Sequence, residues 1–91
     1  MITVSKELTI VNKLGLHARA ASKLAQLCQN FSAKITLELE DKSADANSIM
    51  AIMLLAGGQG KNVKVTAQGQ DAEQAVTAIS QLIGNKFDES E

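Results

Sequence analysis

The chain has no proline, tryptophan or tyrosine, and its aromatic complement is Phe31 and Phe87. Without rings to stack on, single-stranded nucleic acid has no platform here. A net charge of −1 supplies no positive field for a polyanion or an anionic membrane. Cys28 is the only cysteine and His17 the only histidine, so neither an internal disulfide nor a structural zinc site can be assembled. No run approaches the ~18 apolar residues of a membrane-spanning helix. The N-terminal stretch, Met1 to Leu8, carries Lys6 and Glu7 where a secretion signal would be apolar. These absences predict a reduced, soluble, cytoplasmic protein, expected to be monomeric, with no metal, cofactor or nucleic acid. At 91 residues the chain is read as one domain, 1–91. A domain of this size buries about 60–65% of its unfolded surface, too little for a deep enclosed active site. Its chemistry is expected at the surface, with a second protein completing the site.

What is present is two alternating hydrophobic periods. Even positions from Val4 to Ile10 are apolar except Lys6, and the alternation is strict over Ala33–Glu40 and repeats in Val63–Ala67. Period two gives each strand one buried and one wet face, which favours an open-faced antiparallel sheet over a covered parallel one. Helical spacing marks Ala18 to Gln29 (Ala20, Leu24, Leu27 and Phe31 on one face), Ser48 to Leu55, and Ala72 to Ile83 (Ala72, Val76, Ile79 and Ile83). Asn47 is the expected N-cap of the second helix, Asp71 and Gln74 a capping box for the third, and Gly84 its end. Glu40-Asp41-Lys42 reads as a turn, followed by a short edge strand near Ser43 to Ala46. The order β-α-β-β-α-β-α follows, with four antiparallel strands and three helices on one face: an α+β, two-layer, open-faced sandwich. Gly57-Gly58-Gln59-Gly60 reads as an ordinary connection.

The first helix differs from the others at its entrance. Positions 16 to 20 contain no Ser, Thr, Asp or Asn, so its first backbone N–H groups have no side-chain acceptor. Together with the positive end of the helix dipole they suit an anion such as phosphate. His17 stands there with a ring that is nucleophilic when neutral, a form that a helix N-terminus favours. The backbone of Ala18 and Arg19 is placed to hold phosphoryl oxygens, and the Arg19 guanidinium to add a charge-assisted contact. On pattern alone a surface or capping histidine remains the other reading. A hydrolase would need an orienting group and an oxyanion pocket that the sequence does not supply.

The segment Asn12-Lys13-Leu14-Gly15-Leu16-His17-Ala18-Arg19 resembles the active-site segment of the HPr family, the phosphocarriers of the bacterial phosphotransferase system. Asn47 to Leu55 resembles the family's second-helix segment, and the likeness runs over essentially the whole chain. The resemblance implies that His17 is phosphorylated on Nδ1 with Arg19 assisting. Enzyme I, charged by phosphoenolpyruvate, would be the donor and a IIA-type protein the acceptor. It implies a transient phosphohistidine and not a stand-alone enzyme. Asn12-Lys13-Leu14-Gly15, Ala46-Asn47-Ser48 and Phe87-Asp88-Glu89 look more like the nitrogen-related branch, NPr, than the sugar-uptake branch. One departure is Ala20, where the family usually has proline, which leaves the entrance less rigid. Ser48 matches a serine that is phosphorylated in some members; its other reading is a first-turn helix residue, the favoured one.

The second helix carries Ile49, Met50, Ile52, Met53, Leu54 and Leu55, too many apolar residues for one buried face. Ile49, Met50 and Met53 are expected to form an exposed docking patch near His17, and methionines suit a surface that accepts more than one partner. Lys23 is expected to be solvated or to add charge at the rim of that patch. Cys28 is expected to be a partly buried helix residue with no redox role, and Asp88, Glu89 and Glu91 a solvated acidic end. Two rivals remain open: a regulatory binding module of the same fold that needs the docking helix but not His17, and an α+β nucleic-acid-binding domain.

Overall fold

The two strictly alternating segments become the two central strands of one sheet. In the computed structural model, which describes residues 2–88, the elements run β1 (Thr3–Thr9), α1 (Ala18–Cys28), β2 (Lys34–Leu39), β3 (Lys42–Asp45), α2 (Ile49–Leu54), β4 (Asn62–Gln68) and α3 (Ala72–Gly84), ending in a turn at Lys86–Asp88. Among the described residues the sheet has four strands, antiparallel throughout, in the order β1-β4-β2-β3. Ile35, Leu37 and Leu39 of β2 and Val63, Val65 and Ala67 of β4 are buried under the helices. Their neighbours form the open face, where Lys64 lies between Glu7 and Glu38, and Thr66 between Ser5 and Thr36. The expected element order and open-faced sandwich are therefore present. β4 lies between β1 and β2, a crossing that local pattern does not reveal.

α1 buries Ala20, Ala21, Leu24, Ala25 and Cys28, while Leu27 and Phe31 are only half-buried. The stripe is thus rotated from the expected Ala20-Leu24-Leu27-Phe31 line, because α1 touches both α2 and α3 and small alanines let it approach closely. Cys28 is fully buried, not partly; burial, and secondarily the charge of Asp45, push its thiol up to about 12. It stays protonated and is no nucleophile at neutral pH.

Two cap assignments and one charge assignment need correction. α2 is capped by Ser48, not Asn47: Ser48 Oγ accepts the Ala51 N–H at 3.1 Å. The Asn47 N–H is turned back to Asp45 Oδ1 at 2.8 Å, which sets Ser48 one residue on as the cap. Asp71 does sit at the start of α3, but its carboxylate makes no cap bond. It accepts instead from the N–H groups of Ser32 and Ala33, both at 2.8 Å, tying the α1–β2 loop to the start of α3. α3 runs through Gly84, with Asn85 as its C-cap.

Lys23 is half-buried and tied down, not a freely solvated lysine. Its Nζ donates to the Phe87 carbonyl at 2.8 Å and pairs with Asp88 at 3.8 Å. That clamp fastens a turn in which Lys86, Phe87 and Asp88 all have positive φ, between 54° and 63°. The left-handed region is costly for non-glycine residues, and the buried Phe87 ring holds the turn there by filling the core. Of the expected acidic end, Asp88 is exposed, and Glu89 and Glu91 lie outside the described residues.

Candidate functional site

The segment between β1 and α1 is fastened backbone to backbone onto the α2–β4 connection. The Ile10 N–H donates to the Lys61 carbonyl at 2.9 Å, Gly60 N–H to the Ile10 carbonyl at 2.8 Å, and Leu16 N–H to the Gly57 carbonyl at 2.8 Å. Two glycines allow this approach. Gly15 has φ +64°, and a Cβ there would collide with the Gly57 carbonyl oxygen. A Cβ on Gly57 would press within 2.7 Å of Ile10 Cδ1 and 2.8 Å of Leu16 Cδ1. The glycine-rich stretch read as an ordinary connection is therefore the platform for the histidine loop.

Inside the loop, Asn12 is fully buried and closes a four-residue clasp. Its backbone carbonyl accepts the Gly15 N–H at 3.2 Å, and its Nδ2 donates to the Gly15 carbonyl at 2.9 Å. The same carbonyl lies 3.1 Å from His17 Nδ1. A carbonyl only accepts, so in this arrangement Nδ1 carries the proton and donates it to Gly15. Asn12 and the half-buried His17 ring are thus held through one shared oxygen.

His17 is itself the N-cap of α1, with extended backbone (φ −75°, ψ 179°) and no side-chain cap bond. Its carbonyl accepts the Ala21 N–H at 2.8 Å, so the helix begins directly at the histidine. The N–H groups of Ala18, Arg19 and Ala20 fall in the first turn, where an α-helix offers no acceptor of its own. Ala18 and Arg19 are exposed, Ala20 is buried, and no acidic residue stands in this turn. Among the described residues no hydrogen bond or ion pair engages the Arg19 guanidinium. The structure thus brings His17 and the Ala18–Arg19 backbone together, and sets Arg19 beside them without using it. An anion at this helix start would meet aligned N–H groups and a nearby cation.

The second helix places its side chains as the excess of apolar residues requires. Ile52 and Leu55 are buried. Ile49, Met50 and Met53 are 42%, 70% and 41% exposed, and Leu54, at 69%, joins them. Ser48 at its start is half-buried. α2 ends shortly before Gly57, the residue on which the histidine loop rests, and that loop carries Leu14 at 66% exposure. Asn12, Gly15, Gly57, Leu14 and Leu54, each without a role assigned from sequence, join the expected His17, Arg19, Ile49, Met50 and Met53. Only folding shows whose carbonyl the asparagine grips. Among the described residues no group of three or more His, Cys, Asp or Glu could hold a metal ion, and no helix is long and apolar enough to cross a membrane.

Residues 4–85 match the family model described as PTS HPr component phosphorylation site. The chain is 46% identical over 90 residues to the phosphocarrier protein NPr of Shewanella violacea, covering 99% of each chain. It is 43% identical over 88 residues to the phosphocarrier protein HPr of Cupriavidus necator, covering 97% of this chain and 99% of that one. In structure it is similar to HPr-C-His from Thermoanaerobacter tengcongensis, with a TM-score of 0.89 at 43% identity and full coverage of both chains.

Proposed function

This chain belongs to the PTS HPr family, and from that premise we propose that it carries a phosphoryl group on Nδ1 of His17, taken from an enzyme I-type donor and passed to a IIA-type acceptor. The observation that carries this reading is the start of α1, where the histidine is the N-cap and no side chain closes the first turn. Nδ1 must first release its hydrogen bond to the Gly15 carbonyl, with the proton moving to Nε2 as the ring turns. The Nδ1 lone pair then attacks phosphorus while the donor's bond to phosphorus breaks. The transferred oxygens rest against the N–H groups of Ala18 and Arg19, and the Arg19 guanidinium offsets their charge. Onward transfer reverses these steps toward the acceptor. Phosphoryl transfer asks mainly for positioning and charge stabilisation, which suits a shallow site completed by a partner.

Docking is assigned to Ile49, Met50 and Met53, extended by Leu54. An exposed apolar patch of this kind fits transient partners. The chain acts as one phosphocarrier domain in the cytoplasm, where a phosphoenolpyruvate-charged donor works, and in the nitrogen-related branch. That branch rests on the Asn12–Gly15 and Ala46–Ser48 segments and on the similarity to NPr, a similarity that HPr relatives nearly equal. Comparing transfer rates to the two classes of IIA protein tests it: a faster rate to the sugar-type acceptor overturns the branch. The carrier itself is tested with enzyme I and labelled phosphoenolpyruvate. Acid-labile label is expected on the wild type and none on His17→Ala; label that survives this substitution rejects the assignment.

A further inference from the structure

The two edges of the sheet are exposed unequally. β3 offers four residues and β1 seven, and a long edge strand presents backbone donors and acceptors that another strand can pair with. Gly69 N–H donates to the Ile2 carbonyl at 2.8 Å and Ile10 N–H to the Lys61 carbonyl at 2.9 Å, so the even-numbered residues of this segment bond toward β4. Alternate residues of an antiparallel strand aim their N–H and C=O the other way. Thr3, Ser5, Glu7 and Thr9 therefore direct theirs at the open edge.

β1 is also complementary to itself. Laid antiparallel on a second copy about a two-fold axis through its midpoint, residue 6, the strand matches Thr3 with Thr9, Val4 with Leu8, and Ser5 with Glu7 of the copy. The outward-facing odd residues fall on the hydrogen-bonding pairs, and half-buried Val4 meets half-buried Leu8 on the helix side. One pair fails. Lys6 meets the Lys6 of the second copy at a non-hydrogen-bonded site, where Cα atoms stand ~4.5 Å apart and side chains are closest. Like charges directly opposite one another are destabilising.

Nothing in the core calls for a charge at that position. Lys6 stands on the helix side of β1, between Val4 and Leu8 and opposite the buried Val65, where the strand's period asks for an apolar residue. It is exposed at a groove shared with Glu73, Val76 and Thr77 of α3. Among the described residues it has no ion pair. We propose that Lys6 is a charge lock on the sheet edge, the residue that stops β1 from pairing with the β1 of a second copy and so keeps the carrier monomeric.

Sedimentation equilibrium of the full chain and its variants tests the lock, with circular dichroism to establish that each variant is folded. Lys6→Val is expected to self-associate at least about tenfold more tightly than the wild type. The amide protons of Ser5 and Glu7 become protected from exchange in that dimer. Lys6→Glu restores a like-charge pair and stays monomeric alone, yet an equal mixture with the wild type forms a heterodimer, since Lys6 then faces a carboxylate. If Lys6→Val does not fold, the mixing experiment decides. The proposal is overturned by a monomeric, folded Lys6→Val or a wild type already paired through β1. It also fails if the mixture stays monomeric, or if a dimer leaves Ser5 and Glu7 unprotected, as exchange of the whole strand would.

Discussion

The entrances of α1 and α2 are built oppositely. At α2 the Ser48 hydroxyl closes the first turn on the Ala51 N–H. At α1 the corresponding position is His17, whose ring reaches back to the Gly15 carbonyl and makes no cap bond. Both helices are held against the same core by buried side chains, Leu24 and Ala25 in one, Ile52 in the other. A short helix needs its cap to form, whereas α1, with eleven residues and a buried alanine-rich face, tolerates an open start. That tolerance leaves backbone donors available for a passing anion.

The sharpest way to break the contrast is to give α1 the cap that α2 has. His17→Ser is expected to abolish labelling by enzyme I while raising stability by about 0.5–1.5 kcal/mol, read by acid-labile label and by urea unfolding. Labelling that persists in this variant rejects the open entrance as the site. Arg19→Ala removes the neighbouring cation and leaves the backbone donors. Loss of one charge-assisted contact is worth about 1.5–3 kcal/mol, so the labelling rate should fall about ten- to hundredfold. An unchanged rate would assign the charge stabilisation to the partner.

Asn12→Ala tests the clasp behind the histidine. It strips the Gly15 carbonyl of its buried donor, and unfolding should show a loss of about 1–3 kcal/mol. Labelling should slow as the ring loses its register, and an unaltered rate would make the clasp purely structural. Met50→Glu puts a charge into the exposed face of α2. It should slow labelling by about tenfold with little effect on stability, and an unchanged rate removes α2 from the docking surface. The smallest effect is expected at the capped entrance itself. Ser48→Ala should cost about 1 kcal/mol in unfolding and leave labelling as it was; a labelling defect would mean that the cap also shapes the docking face.

Much of the candidate site was legible because its signals are local. The missing cap residues at 16–20, the histidine beside them and the surplus of apolar residues in α2 can all be read along the chain. Asn12, Gly57 and Lys23 were not, and for one reason. Each acts on a backbone carbonyl or loop whose position depends on another element: Asn12 on Gly15 beside the α2–β4 connection, Gly57 beneath the histidine loop, Lys23 on Phe87 at the far end of the chain. Asp71 shows the same limit from the other side. Its spacing to Gln74 fits a capping box, but the two N–H groups of Ser32 and Ala33 come within reach only when β2 and α3 are brought together, and they take the carboxylate.

By itself the sequence determined which segments are strands and which are helices, which face of each central strand is apolar, and that the first helix begins at a histidine without a cap. These follow from side-chain period and backbone chemistry within a few residues. The tertiary structure decided the strand order β1-β4-β2-β3, the docking of the histidine loop on Gly57, and which carbonyl each buried donor finds. It also decided which edge of the sheet is long enough to need Lys6. Hydrogen-bond partners far apart in sequence become specific only once the shared core fixes their distance, so those choices belong to the fold.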